Sequence, residues 1–156
     1  MIRTLARPML ASIFLVSGLE TIKRPGGRVR AATALLDRLI PALGLPDDKE
    51  LLVRANGVAM LAGGALLATG RMPRVAAGVL AVSLVPTTLS VHSFWEVPEA
   101  ERPAQKIQFL KNLSMLGGLL LATVDTDGKP GLAWRAGRLR ESATSRVEGA
   151  RERLAA

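Results

Sequence analysis

Charge in this chain is segregated. Four long apolar runs contain few charged residues, and the segments between them carry nearly all the rest. A soluble domain spreads its charges over every exposed face. A bilayer forbids that, because hydrocarbon offers no water and each backbone group must be satisfied within its own segment. The pattern therefore points to an all-α integral membrane protein, a bundle of four spanning helices.

A span needs about 20 residues. The runs are read as spans over residues 5–22, 48–69, 75–95 and 106–124. In the first, Pro8 falls within the first turn, where a missing N–H costs little. This run follows Arg3 and Arg7 like a secretory leader. It lacks a small-residue cleavage site followed by a soluble domain, so it reads as a retained helix. The second span starts with Asp47 and Glu50, an Asp-x-x-Glu signal for a capped helix. Gly70 and Pro73 close it, and the short turn makes spans two and three antiparallel neighbours. Pro86 interrupts the third, with Thr87, Thr88 and Ser90 near enough to engage freed backbone groups. The sequence Asp125-Thr126-Asp127-Gly128-Lys129-Pro130 stops the fourth.

Two amphipathic segments complete the layout. Over residues 28–43, Val29, Ala32, Leu36, Leu39, Ile40 and Leu43 recur at helical spacing, which predicts an interfacial helix or one folded over the bundle mouth. After Pro130, a weaker stripe of Leu139, Ala143, Val147, Ala150 and Leu154 gives either a basic amphipathic tail helix or a frayed end. The expected division is a transmembrane domain over 1–128 and a tail over 129–156. Gly63-Gly64-Ala-Leu-Leu-Ala-Thr recurs as Gly117-Gly118-Leu-Leu-Leu-Ala-Thr. This is an internal repeat or, the simpler reading, two glycine pairs that let helices approach closely.

The chain has 156 residues, a net charge of +8 and no cysteine. Thiol catalysis, disulfides and Cys-ligated metals are excluded, and one histidine does not make a multi-histidine metal site. In a membrane protein the positive charge implies lipid headgroups and orientation, with no nucleic acid expected. Four spans place both termini on one side. That side holds eleven cations (Arg3, Arg7, Arg71, Arg74, Lys129 and six arginines from Arg135 to Arg153), and the other holds ten. The cationic N-terminus and the basic turn at Arg71 tip the expectation towards cytoplasmic termini.

Alternating spans also allow polar residues to be compared by depth. Glu20, Arg54, Asn56, His92, Glu96, Lys111 and Asn112 all fall towards the face opposite the termini, and the other half is almost wholly aliphatic. Intramembrane ionisable groups usually pair or line a wet cavity. A polar pocket is thus one expectation: Glu20 paired with Arg54 or Lys111, His92 as proton acceptor or hydrogen-bond donor, and Phe94 and Trp95 as walls. The alternative is that Arg54 and Lys111 snorkel, Trp95 anchors at the interface and Glu20 caps a helix end. No nucleophile–His–acid order, phosphate loop, dinucleotide fingerprint or metal spacing is present, so a non-catalytic subunit is the favoured expectation.

Arg7, Phe14 and Ser17-Gly18, then His92-Ser93-Phe94-Trp95, and above all Gln108-Phe109-Leu110-Lys111-Asn112-Leu113 running into Leu116-Gly117-Gly118-Leu119-Leu120-Leu121-Ala122, resemble the DoxX family over most of residues 5–124. That resemblance implies a four-helix protein of the bacterial inner membrane. The family takes its name from a subunit of a thiosulfate:quinone oxidoreductase. Some actinobacterial members are associated with anchoring oxidative-stress enzymes, including superoxide dismutase and a thiosulfate sulfurtransferase, and the Arg- and Ala-rich composition suits such a source. Many members carry an acid near the position of Asn56-Gly57, a departure that weakens transfer of redox activity. The resulting expectation is a membrane scaffold or redox-complex subunit with a protein partner or a second copy, and no covalently bound cofactor. The alternatives are a quinone-linked oxidoreductase subunit, with quinone held near His92, Lys111 and Asn112, and a small-solute carrier.

Overall fold

The computed structural model describes residues 2–126, together with 128, 134, 137, 138, 140–142 and 144. It has two compact units, Met1–Val124 and Asp125–Ala156. The first contains α1 (Ile2–Lys23), α2 (Gly26–Leu43), α3 (Lys49–Thr69), α4 (Pro73–Val91) and α5 (Arg102–Val124). Helices α1, α3, α4 and α5 are each long and apolar enough to cross a membrane. The protein is an all-helical, multi-pass membrane protein in its described residues.

Helix ends follow local chemistry and differ in places from the sequence reading. Helix α1 begins at Ile2, so Pro8 lies in its second turn rather than its first. Only two residues separate α1 from α2, and Pro25 occupies the position before Gly26. Asp48, not Asp47, caps α3, accepting a hydrogen bond from the Leu51 N–H at 2.9 Å. Gly70 ends α3 in the left-handed region (φ 70°), and Pro73 opens α4 where no donor is needed. Helix α4 stops at Val91 instead of reaching residue 95, because His92 leaves helical geometry (φ −123°, ψ 35°). The chain then turns through bonds from Phe94 N–H to His92 O and from Glu96 N–H to Ser93 O. Helix α5 starts four residues before the expected 106. Its first N–H, that of Arg102, is shared between Pro98 O and Glu99 O, and Pro103 sits in the first turn.

Consecutive spans pack antiparallel. Gly18 of α1 meets Gly57 and Leu61 of α3, while Leu15 meets Gly64. Gly63 of α3 meets Leu80 of α4, and Thr88 of α4 bonds Asn112 of α5. The central core contains Phe14, Met60, Leu67, Leu80, Leu84 and Leu119. The outer surface is also apolar: Met9 and Val82 are each 75% exposed and Leu121 is 72% exposed, as lipid-facing residues are. The repeated Gly-Gly element serves the two helices differently. A Cβ on Gly63 or Gly64 would meet a leucine at 3.0–3.1 Å, whereas Gly117 has nothing within 4 Å.

Helix α2 packs against α3 and α4. Val29, Ala32, Leu36, Leu39 and Ile40 are half-buried, and Arg30, Asp37 and Arg38 are exposed. Leu43, assigned to the apolar stripe from sequence, is 65% exposed at the helix end. Asp37 ties α2 to Lys49 at the start of α3 at 2.5 Å. In the second unit, Arg138 lies over the Trp134 ring at 5.2 Å. Ser142 and Thr144 bond the carbonyls of Arg138 and Arg140. The apolar stripe expected in the tail (Leu139, Ala143, Val147, Ala150, Leu154) lies outside the described residues.

Candidate polar layer within the span region

Helix α4 supplies a ladder of hydroxyls. Ser83 and Thr87, four residues apart, share the face towards α3, and Thr88 faces α5. Each threonine donates to the carbonyl four residues earlier, Thr87 to Ser83 O at 2.9 Å and Thr88 to Leu84 O at 2.8 Å. These bonds fix the hydroxyl oxygens as acceptors for neighbouring helices. They do not reach Val82 O, whose usual donor is removed by Pro86. The sequence expectation that these side chains engage the group freed by the proline is not met: Thr87, Thr88 and Ser90 bond Ser83 O, Leu84 O and Pro86 O instead, each four residues earlier.

Two asparagines dock on this ladder from opposite sides. Asn56 of α3 accepts from the Ser83 hydroxyl at 2.5 Å. Its amide nitrogen faces Thr87 Oγ1 at 3.4 Å and Met60 Sδ at 3.7 Å. Asn112 of α5 donates to Thr88 Oγ1 at 2.9 Å. The result is a layer of amides and hydroxyls joining three spans. The layer joins the spans by hydrogen bonds between neutral groups.

The charged candidates lie outside the layer. Glu20 pairs with Arg28 of α2 at 3.2 Å, not with Arg54 or Lys111. Arg54 pairs with Glu50 one turn earlier at 2.7 Å. All four of these side chains keep a third or more of their surface exposed. Short local partners win because they neutralise charge without crossing the bundle. Lys111 is exposed on α5. His92 shares a 2.8 Å hydrogen bond with Gln105 across the α4–α5 turn. Trp95 is 49% exposed and makes edge contacts with Phe94 and Phe109 at 5.0 and 5.9 Å between centroids. The candidate pocket residues Glu20, Arg54, Asn56, His92, Trp95, Lys111 and Asn112 therefore do not converge on one pocket. Asn56 and Asn112 enter the layer, His92 and Trp95 belong to the turn, and Glu20, Arg54 and Lys111 lie outside both.

The layer opens into two apolar recesses. One, about 100 Å³, lies between α4 and α5 and is lined by Leu84, Thr88, Leu89, Phe109, Asn112 and Leu116 among others. The other is a more open groove of about 510 Å³ between α3 and α4, headed by Asn56 and Ser83. Sequence reading missed Ser83 and Gln105. Ser83 was detectable as the residue one helical turn before Thr87, whereas Gln105 had no signal, since its partner depends on where α4 ends. Among the described residues no group of three His, Asp or Glu is placed to hold a metal.

The family model of DoxX matches residues 2–93, from α1 through the end of α4. The match stops before α5, which carries the segment on which the sequence resemblance leaned most. No curated protein matches the chain, and no solved structure does.

Proposed function

The chain belongs to the DoxX family, and from that membership together with the exposure of α5 we propose that it is a non-catalytic membrane subunit, a scaffold for a redox or oxidative-stress complex in the bacterial inner membrane. The observation that carries this reading is the poor coverage of α5. Only 6% of its apolar window is buried, against 22%, 28% and 33% in α1, α3 and α4. Leu119 is its single buried residue among the described ones. Its exposed face carries Lys111, Ser114 and Gly117. Small residues let a second helix approach closely, and an intramembrane lysine favours a counter-charge. A span covered this little by its own chain suits another subunit's helix.

Charge distribution supports cytoplasmic termini. On the terminal side, residues 2–124 supply Arg3, Arg7, Arg71 and Arg74 and no acid. The opposite side carries ten cations, of which Arg28, Lys49 and Arg54 pair with Glu20, Asp37 and Glu50, so the orientation rests on the cationic N-terminus and the short basic turn. The basic tail after residue 129 would then face cytoplasmic partners, and α2 would lie at the external interface.

Extraction in mild detergent tests the proposal. The wild-type protein recovers a partner in fixed stoichiometry, and Gly117→Leu or Lys111→Leu loses it. A lone monomer recovered equally from all three proteins removes the proposal. A second reading, a quinone-linked oxidoreductase subunit, has one observation in its favour: the α4–α5 recess places Asn112 in an apolar setting. It predicts that Asn112→Leu abolishes quinone reduction while leaving the helices intact.

A further inference from the structure

The α3–α4 groove has features that the scaffold reading does not use. It follows α4 from Val75 to Pro86, three turns and roughly 16 Å at 1.5 Å per residue. Its walls are apolar, and Val75 and Val82 on its rim are 55% and 75% exposed, so it opens sideways towards hydrocarbon. Gly78 leaves a gap in its lining, with nothing within 4 Å of where a Cβ would stand. At one end are Asn56 and Ser83.

Asn56 is half satisfied. Its oxygen is engaged by the Ser83 hydroxyl at 2.5 Å. Its nitrogen has only the 3.4 Å contact to Thr87 and the 3.7 Å contact to a thioether sulfur. The first exceeds the usual 2.7–3.2 Å for N–H···O, and sulfur is a weak acceptor. An amide donor without a good acceptor in hydrocarbon is costly. Asn56 lies two turns, about 10 Å, inside α3, a helix whose length matches the hydrocarbon thickness. The ester groups of a bilayer phospholipid, tethered to a surface headgroup, lie above that level.

We infer that this groove binds a lipophile wholly embedded in the membrane, with its carbonyl oxygen accepting from the Asn56 amide and its apolar tail lying along α4 past Gly78 towards Val75. Ser83 holds the amide so that nitrogen, not oxygen, is offered. The gap at Gly78 gives the tail its place. This inference is independent of the partner face on α5.

The test uses the full chain in phosphatidylcholine vesicles and two photoreactive probes: a long-chain methyl ketone carrying a diazirine, and the same chain with methylene in place of the carbonyl. The ketone labels residues 56–86 in excess of the hydrocarbon by roughly fivefold, the size of one net hydrogen bond. Gly78→Leu, which fills the groove and leaves Asn56 in place, removes the excess, as does Asn56→Leu. Gly117→Leu, an equally open glycine on α5, keeps it. Should Asn56→Leu fail to fold, Gly78→Leu carries the test. Equal labelling by the two probes, or an excess that survives Gly78→Leu, overturns the inference. So does crosslinking of a Val79→Cys variant to a second copy, which would mean that another chain fills the groove.

Discussion

Gly18 and Gly57 bring α1 and α3 into backbone contact: a Cβ on Gly18 would stand 2.8 Å from the Gly57 carbonyl oxygen and 2.8 Å from the Leu61 nitrogen. Both are main-chain atoms of α3, so no side chain can turn aside. Without a hydrophobic driving force between helices in lipid, such close packing is a main source of association. Gly18→Ala is expected to separate the pair and cost about 1–3 kcal/mol, as overpacking does. Gly78→Ala and Gly117→Ala, where a Cβ meets nothing within 4 Å, should be neutral or slightly stabilising, since alanine favours the helix. Denaturant titration of the four proteins in detergent measures the contrast.

The Asn56–Ser83 bond is expected to contribute modestly. Interhelical hydrogen bonds in membranes average about 0.6 kcal/mol, with a maximum near 1.7. Ser83→Ala should lie in that range, because it leaves the Asn56 oxygen without its donor. Asn56→Leu removes the poorly accepted amide nitrogen together with the oxygen and leaves the Ser83 hydroxyl to turn to the carbonyl one turn earlier on its own helix, so it should cost no more than Ser83→Ala. A double-mutant cycle on the two positions should return a coupling of the same sign and size. Zero coupling would mean that the two side chains do not bond in the bilayer.

The spans were legible because their signal is collective. Some 20 residues of apolar sequence outweigh any single position, and Gly70-Pro73 and Asp125-Gly128-Pro130 mark their stops. Depth was legible for the same reason, since alternating helices of similar length place Asn56 and Asn112 near one level. Pairing was not. Glu20 reaches Arg28 because only two residues separate α1 from α2, where the sequence bounds of 5–22 and 28–43 leave five. Whether a residue faces inward depends on the rotation of each helix, which Gly18, Gly57 and Gly63 set through close contacts. A sequence reports the glycines and not which neighbour each one admits. Lys111 and Asn112 are adjacent in sequence, yet the first faces outward and the second inward.

Glu20 and Arg54 give a direct check on that pairing. Each is bonded to a different partner, Arg28 and Glu50 respectively. Exposed pairs of this kind contribute about 0.2–1 kcal/mol. Glu20→Gln and Arg54→Gln should each shift stability by less than about 1 kcal/mol, and their effects should add, as expected for sites with no shared partner. Thermal unfolding of the two single variants and the double variant reads this. A coupling above about 0.5 kcal/mol would place both side chains in one pocket after all.

Arg74 joins the start of α4 to the end of α5 through a single bond, from its Nε to the Thr123 carbonyl oxygen at 2.7 Å. The last carbonyls of a helix lack intrahelical donors. A cation there both donates to them and offsets the negative end of the helix dipole, together worth about 0.3–1 kcal/mol at an exposed end. Because α5 buries only Leu119 among its described residues, it has little packing to hold its last turn if this bond is lost. Arg74→Met keeps the apolar stem and removes the donor. Amide hydrogen exchange should quicken severalfold in residues 119–124 and stay unchanged in α1 and α3. Arg71→Met, one position before the left-handed Met72 (φ 51°) and outside the Arg74–Thr123 bond, is the matched control and should leave the exchange of α5 as it is. Equal acceleration by both variants would assign the effect to general loss of charge at the rim and not to the Arg74–Thr123 bond.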